Sequence, residues 1–210
     1  MDRGGTMARS SVTAADFTQK FGRLAVDIPA RAKLAAKVWA HVVCRILPLN
    51  MQHQQQTNWC WSAVGTSVGL FFQTGSWTQC DTANGCLGYS NCCNNPVPGP
   101  CNVYGYLDKS LTYTKSFASM VSGTATASTI ESQLNTGVPV CVRVAWTGGG
   151  AHFLSITGYS YPDGDPTKVT IYLEDSIYGK TSMPLTDFPA QYHGGGTWTH
   201  TYYTKPTLSS

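Results

Sequence analysis

Residues 54–65 read QQQTNWCWSAVG and set one cysteine, Cys60, between two tryptophans behind a run of glutamines. From Cys60 to about Gln73 the residues Trp61, Val64, Val68, Phe71 and Phe72 fall on helical spacing, and Gly75 offers a stop. The cysteine therefore sits at the first turn of a predicted helix. A free cysteine ordinarily ends as a buried thiol in an apolar core. A helix N-terminus favours negative charge, and an imidazolium partner can lower a thiol pKa from about 8.5 to roughly 3–4. The thiolate is the nucleophilic form, so Cys60 is a candidate nucleophile. Gln54, six residues earlier, can offer its side-chain amide to a developing oxyanion beside the Cys60 backbone N–H. Gln52, Gln55 and Gln56 read as solvated loop.

A base for that nucleophile emerges from two alternating stretches, AHFLSITGY (151–159) and KVTIYLED (168–175), separated by the turn-rich SYPDGDPT. A turn centred between Asp163 and Gly164 pairs Leu154 with Leu173, Ile156 with Ile171 and Gly158 with Val169, and it sets His152 opposite Asp175. A carboxylate on one ring nitrogen fixes the tautomer and leaves the other nitrogen free as a base. His53 is too near Cys60 in sequence to face it across a cleft. His193 and His200 fall in a glycine-rich loop and an expected edge strand, and His41 belongs to the N-terminal extension.

Together these parts resemble the papain-like cysteine proteases, most closely the bacterial secreted and type III effector branch with its WCW-type nucleophile motif and Asp as third member. The resemblance covers roughly residues 46–200 and includes STIESQLNTGVPVCVRV, a helix and strand leading to the histidine. It implies an α+β fold with a nucleophile helix packed on an antiparallel sheet. It also implies a cysteine endopeptidase with Cys60 as nucleophile, His152 as base and then acid, Asp175 as orienter and Gln54 in the oxyanion hole. The run DSIYG (175–179) stands where plant-type papains have Asn-Ser-Trp-Gly. Asp still orients the imidazole, while the absent tryptophan leaves the shielding of the dyad open.

Cys80, Cys86, Cys92, Cys93 and Cys101 crowd into 22 residues of loop-like sequence between 76 and 105. Adjacent Cys92 and Cys93 fit a disulfide staple better than a tetrahedral zinc site, so two bridges and no metal are expected, with one cysteine left over. Such bridges place the working protein in a secreted or extracellular setting, or as an effector delivered already oxidised. No cofactor is implied.

Only 12% of the 210 residues are charged, about half the usual share, and length suits one well-buried domain. Residues 1–45 carry a local charge of +5 and residues 46–210 one of −2, so the body offers no nucleic-acid surface. Leu34, Val38 and Val42 predict a basic amphipathic helix over 28–46, a membrane-surface binder, a cleft-covering prosegment or a translated leader. The expected organisation is an extension, 1–45, and a catalytic domain, 46–210. No run approaches the roughly 18 apolar residues of a membrane span, and no secretory signal is evident. Further helices are expected over 127–137, with Ser128 or Thr129 as N-cap, and around 185–192, with a last strand over 197–203. A monomer acting on a protein or peptide is the leading reading. A related acyl transferase or cell-wall amidase, and a non-catalytic disulfide-braced module built around Trp59, Trp61 and Trp77, are the alternatives.

Overall fold

The computed structural model describes residues 42–162 and 165–206, and the described residues from Val43 onward belong to one compact unit. Its centre is a sheet whose seven strands are β1 (Val42–Ile46), β2 (Phe117–Ser122), β3 (Val140–Trp146), β4 (Ala151–Pro162), β5 (Thr170–Asp175), β6 (Gly179–Pro184) and β7 (Gly196–Thr204). The order is β2-β7-β3-β4-β5-β6, with β1 joined to β4. The pairings from β2 through β6 are all antiparallel. The helices are α1 (Cys60–Phe71), α2 (Gln79–Leu87), α3 (Leu107–Tyr113) and α4 (Ala127–Asn135). The α+β architecture is thus the one expected.

Alternation along β3 divides the core. Val140, Val142 and Val144 point into a cluster with Ile130 and Leu134 of α4, Leu154, Ile156, Ile171 and Leu173. Cys141, with Phe153 and Tyr202, faces a second cluster made by Trp61, Val64 and Val68 of α1 and Leu107 and Leu111 of α3. A strand covered on both faces reads as a nearly continuous apolar run, which VPVCVRVAW does except at Arg143.

Two glycines allow close approach. Gly158 lets β1 lie against β4, since a Cβ there would fall 2.8 Å from the Arg45 carbonyl. Gly65 lets α1 meet α3, where a Cβ would collide with the fully buried Ser110 side chain. Gly65→Ala is therefore expected to overpack this contact by about 1–3 kcal/mol. On a domain of this size that lowers the melting temperature by roughly 3–10 °C, read from a thermal melt.

Several sequence expectations need correction. The β4–β5 turn is displaced toward Asp165, whose N–H donates to Pro162 O and whose carboxylate pairs with Lys168. Leu154 consequently faces Asp175 and Ile156 faces Leu173, and a bulge between Ile156 and Gly158 sets Gly158 opposite Tyr172. The slip is three residues near the turn, and the bulge reduces it to two at the open end. An even slip keeps every side chain on its face, so His152 and Asp175 become diagonal neighbours instead of direct partners.

Residues 42–46 form strand β1, not the end of the helix expected over 28–46; the rest of that helix lies outside the described residues. The expected loop over 76–105 contains α2, started by Thr78 accepting from the Asp81 N–H and stopped by Gly88 in a left-handed conformation. α1 ends at Phe71, with Phe72 as its C-cap and Gln73 at φ 56°, ahead of Gly75. Thr126, in place of Ser128 or Thr129, caps α4. Residues 185–192 make successive turns, because Pro189 has no N–H to donate and disfavours helical backbone at Phe188. β7 lies inside the sheet between β2 and β3, so His200 is not on an edge strand. Among the described residues no helix is long and apolar enough to cross a membrane.

Candidate active site

Cys60 opens α1 with no side-chain cap. The N–H groups of Cys60, Trp61 and Ser62 donate to no protein acceptor among the described residues, which leaves the positive end of the helix dipole at the thiol. The flanking tryptophans explain how that turn is held. Trp59 Nε1 donates to Cys101 O at 2.7 Å, and Trp61 Nε1 donates to Val103 O at 3.1 Å. Asn58 and Asn102 exchange two further bonds, Asn58 N to Asn102 Oδ1 at 3.0 Å and Asn58 Nδ2 to Asn102 O at 2.9 Å.

The segment they grip is braced by disulfides Cys80–Cys93 and Cys92–Cys101, so both expected bridges form and Cys86 is left free. Cys80, Asp81 and Cys93 come close enough together to suggest a cation site, but the two sulfurs are bonded to each other and offer no thiolate.

From the sheet, β4 presents His152 and the end of β5 presents Asp175, 3% and 2% exposed. His152 Nε2 donates to Asp175 Oδ1 at 2.9 Å, which leaves Nδ1 without that partner and on the side of the ring away from the carboxylate. Asp175 Oδ1 also accepts the N–H groups of Ile177 (2.7 Å) and Tyr178 (3.1 Å), and Oδ2 accepts the Tyr192 hydroxyl at 2.8 Å.

Burial alone would push the His152 pKa down, but the hydrogen bonds and charges of Asp175 and Cys60 outweigh it and raise the imidazole to about 9. For Asp175, burial pushes upward, and His152 followed by the two backbone N–H groups brings the carboxyl below its ordinary value. Burial, and after it the Asp175 charge, pushes the Tyr192 phenol upward, so it remains a donor.

The shielding comes from Tyr178 within DSIYG and from Trp146 and Tyr192 outside it. Trp146 of β3 stacks on the imidazole at 6.0 Å and 18°, Tyr192 stacks on Trp146 at 6.2 Å, and Tyr178 meets the imidazole edge-on at 6.3 Å. The sequence reading missed Trp146 and Tyr192. Trp146 sits opposite the His152 region across the β3–β4 turn, a position that its VAW-GGG-AH spacing could have revealed.

Gln54 lies at the same junction. Its N–H donates to Ser176 O at 2.9 Å, its Oε1 accepts the Ser176 hydroxyl at 3.1 Å, and its Nε2 donates to Gln56 O (3.0 Å) and Thr57 O (2.8 Å). It thus clamps the segment before Cys60 to the residue after Asp175. The other glutamines are not simply solvated: Gln79 donates to Gln52 Oε1 and accepts from the Gln55 N–H.

A cleft of about 700 Å³ opens beside Cys60, walled by Trp61, Tyr104, Tyr106, Arg143 and Phe153. An acyl group seated in the cleft would meet the Cys60 side chain beside the free N–H groups at the head of α1.

The family model for the papain-like cysteine protease AvrRpt2 matches residues 42–193. No curated protein matches the sequence. Among solved structures, the crystal structure of a double glycine motif protease from an AMS/PCAT transporter in complex with the leader peptide is similar at 13% identity and TM-score 0.42, over 79% of this chain and 99% of that one. The chain belongs to the papain-like cysteine protease AvrRpt2 family and is a papain-like cysteine peptidase.

Proposed function

We propose that the protein is an endopeptidase that hydrolyses peptide bonds through a Cys60 acyl-enzyme, with His152 and Asp175 completing the triad. The supporting observation is the buried His152–Asp175 pair at 2.9 Å, with Cys60 at the head of α1 among the groups that raise the imidazole. The Cys60 thiolate attacks the scissile carbonyl carbon, forming the C–S bond and an oxyanion. The Cys60 N–H receives that oxyanion, and Gln54 is the second donor, sharing one amide hydrogen with the Gln56 carbonyl. Collapse breaks the C–N bond as His152 gives its proton to the leaving amine. His152 then takes a proton from water, which attacks the thioester and releases the acid and Cys60. Residues 46–210 carry all these groups and form the catalytic domain, with 1–45 as an extension. The two disulfides favour a protein that works outside the reducing cytosol or reaches it already oxidised.

The test incubates an unstructured protein substrate with wild type and Cys60→Ser, with and without a primary amine. New N-termini from wild type alone, with no stable amine adducts, are expected. Adducts replacing cleavage would instead make the protein an acyl transferase, and cleavage by Cys60→Ser would remove the nucleophile assignment.

A further inference from the structure

The cleft beside Cys60 carries one feature that peptide-bond chemistry does not require, a guanidinium in its wall. Arg143 is the only charged residue in the apolar run of β3, and it lies on the helix-facing side of the sheet. Its cross-strand partners are Phe153 on β4 and His200 on β7, so the three form a row across one face, and all three line the cleft.

A bulge between Arg143 and Val144 inserts Thr199 into β7 at this point. Thr199 Oγ1 accepts from Arg143 Nη1 at 2.9 Å and donates to the Arg143 carbonyl at 3.3 Å, which fixes the direction of the side chain. A guanidinium has five N–H donors, and among the described residues only one has a protein partner. Among the described residues no carboxylate lies within salt-bridge distance of it. A half-buried, oriented fork with free donors fits a carboxylate in geometry as well as charge.

Asp108 also lines the cleft and argues the other way. It stands in the first turn of α3, where the helix end already favours a negative charge, and it is partly open to water. His200, its Nδ1 hydrogen-bonded to Thr199 Oγ1 at 3.0 Å, stands on Arg143's side of the cleft. Tyr104 and Tyr106, 76% and 67% exposed, form an aromatic rim over which a peptide backbone can lie.

Resting on the peptidase reading above, we propose that Arg143 is a specificity-determining residue that selects a Glu or Asp side chain of the peptide substrate near the scissile bond. Asp108 opposes this choice from the other wall and keeps it from becoming absolute.

The experiment measures second-order rates of Cys60 labelling by peptidyl vinyl sulfones that differ only in carrying Glu, Gln or Lys at successive positions before the electrophile. Iodoacetamide labelling runs in parallel as a measure of the bare thiol. At one position the Glu probe is expected to react about 10–100 times faster than its Gln isostere, the range for hydrogen bonds to a charged group. In Arg143→Gln that ratio should fall to about one with iodoacetamide labelling unchanged; Arg143→Glu should favour Lys, and Asp108→Asn should enlarge the wild-type ratio. Equal Glu and Gln rates in wild type, or a ratio that persists in Arg143→Gln, would overturn the inference. If Arg143→Gln fails to fold, the wild-type and Asp108→Asn ratios still decide it. Labelling of Cys60 by iodoacetamide but by no peptidyl probe would overturn the peptidase reading itself, a result distinct from equal labelling by all probes.

Discussion

Asp175→Ala is expected to unfold in urea at a free energy about 3–5 kcal/mol below wild type at neutral pH, and to lose about 10²–10⁴-fold in kcat/KM. The substitution strips the acceptor from four donors at once: His152 Nε2, the Ile177 and Tyr178 N–H groups and the Tyr192 hydroxyl. Leaving such groups buried and unpaired costs more than the bonds themselves contribute. The loss should depend on pH. Because the folded-state pKa of Asp175 lies below its unfolded value, its contribution is present above the ordinary carboxylate range and disappears as pH falls through the folded value. Urea melts of both proteins from neutral to acid pH should therefore converge. A constant gap would mean that packing, and not the carboxylate charge, sets the cost.

His152→Ala is expected to reduce kcat/KM by about 10⁴–10⁶-fold, since removing the base disables attack and leaving-group protonation together. Its stability effect runs in the opposite pH direction from that of Asp175. The folded-state pKa is raised to about 9, above an unfolded value of about 6.5, so the ionic contribution is full below about pH 6.5 and is lost as pH rises through 9. Wild-type peptidase activity should likewise fall on the alkaline side near pH 9, where the imidazolium can no longer give a proton to the leaving amine. Initial rates across pH 5–10, an order-of-magnitude bracket around the free imidazole value, read this directly. A basic limb near neutrality would contradict the strong Asp175 pairing.

What was legible in the sequence was what local periodicity and face alternation encode. Trp61, Val64 and Val68 mark one helix face, and even spacing within β4 and β5 keeps His152 and Asp175 on one side of the sheet even though their register is two residues off. The bulge near Thr157 was not legible, because nothing local distinguishes a turn centred between Asp163 and Gly164 from one centred on Asp165. α2 was hidden for a different reason. Its residues QCDTANGCL hold no apolar stripe, and a disulfide with buried Gln79 anchors it in place of a hydrophobic face. Only the Thr78 cap and Gly88 marked it.

At the site, the proposed trio could be named from sequence because each member carries a functional group and a strand or helix context. Trp146, Tyr192 and Arg143 were not, because their roles come from partners distant in sequence. Tyr192 reaches Asp175 from a turn that looked helical, and Arg143 looked like one interruption of a core strand. The strand β2, which covers β7 and places His200 inside the sheet, has an exposed sequence with no buried alternation to announce it.

The most direct test is the rate of iodoacetamide alkylation at each free cysteine from about pH 4 to 9, followed by peptide mapping in wild type and His152→Ala. Cys60 lines the cleft and the exposed Cys44 serves as the labelling reference, whereas burial pushes Cys141 up to about 12 and Cys86 up to about 11, so those two should stay silent. The expected result is rapid Cys60 labelling in wild type, with a pH profile that changes when His152 is replaced. An inert Cys60, or one with the same pH profile in both proteins, would contradict a thiolate–imidazolium pair as the engine of this site.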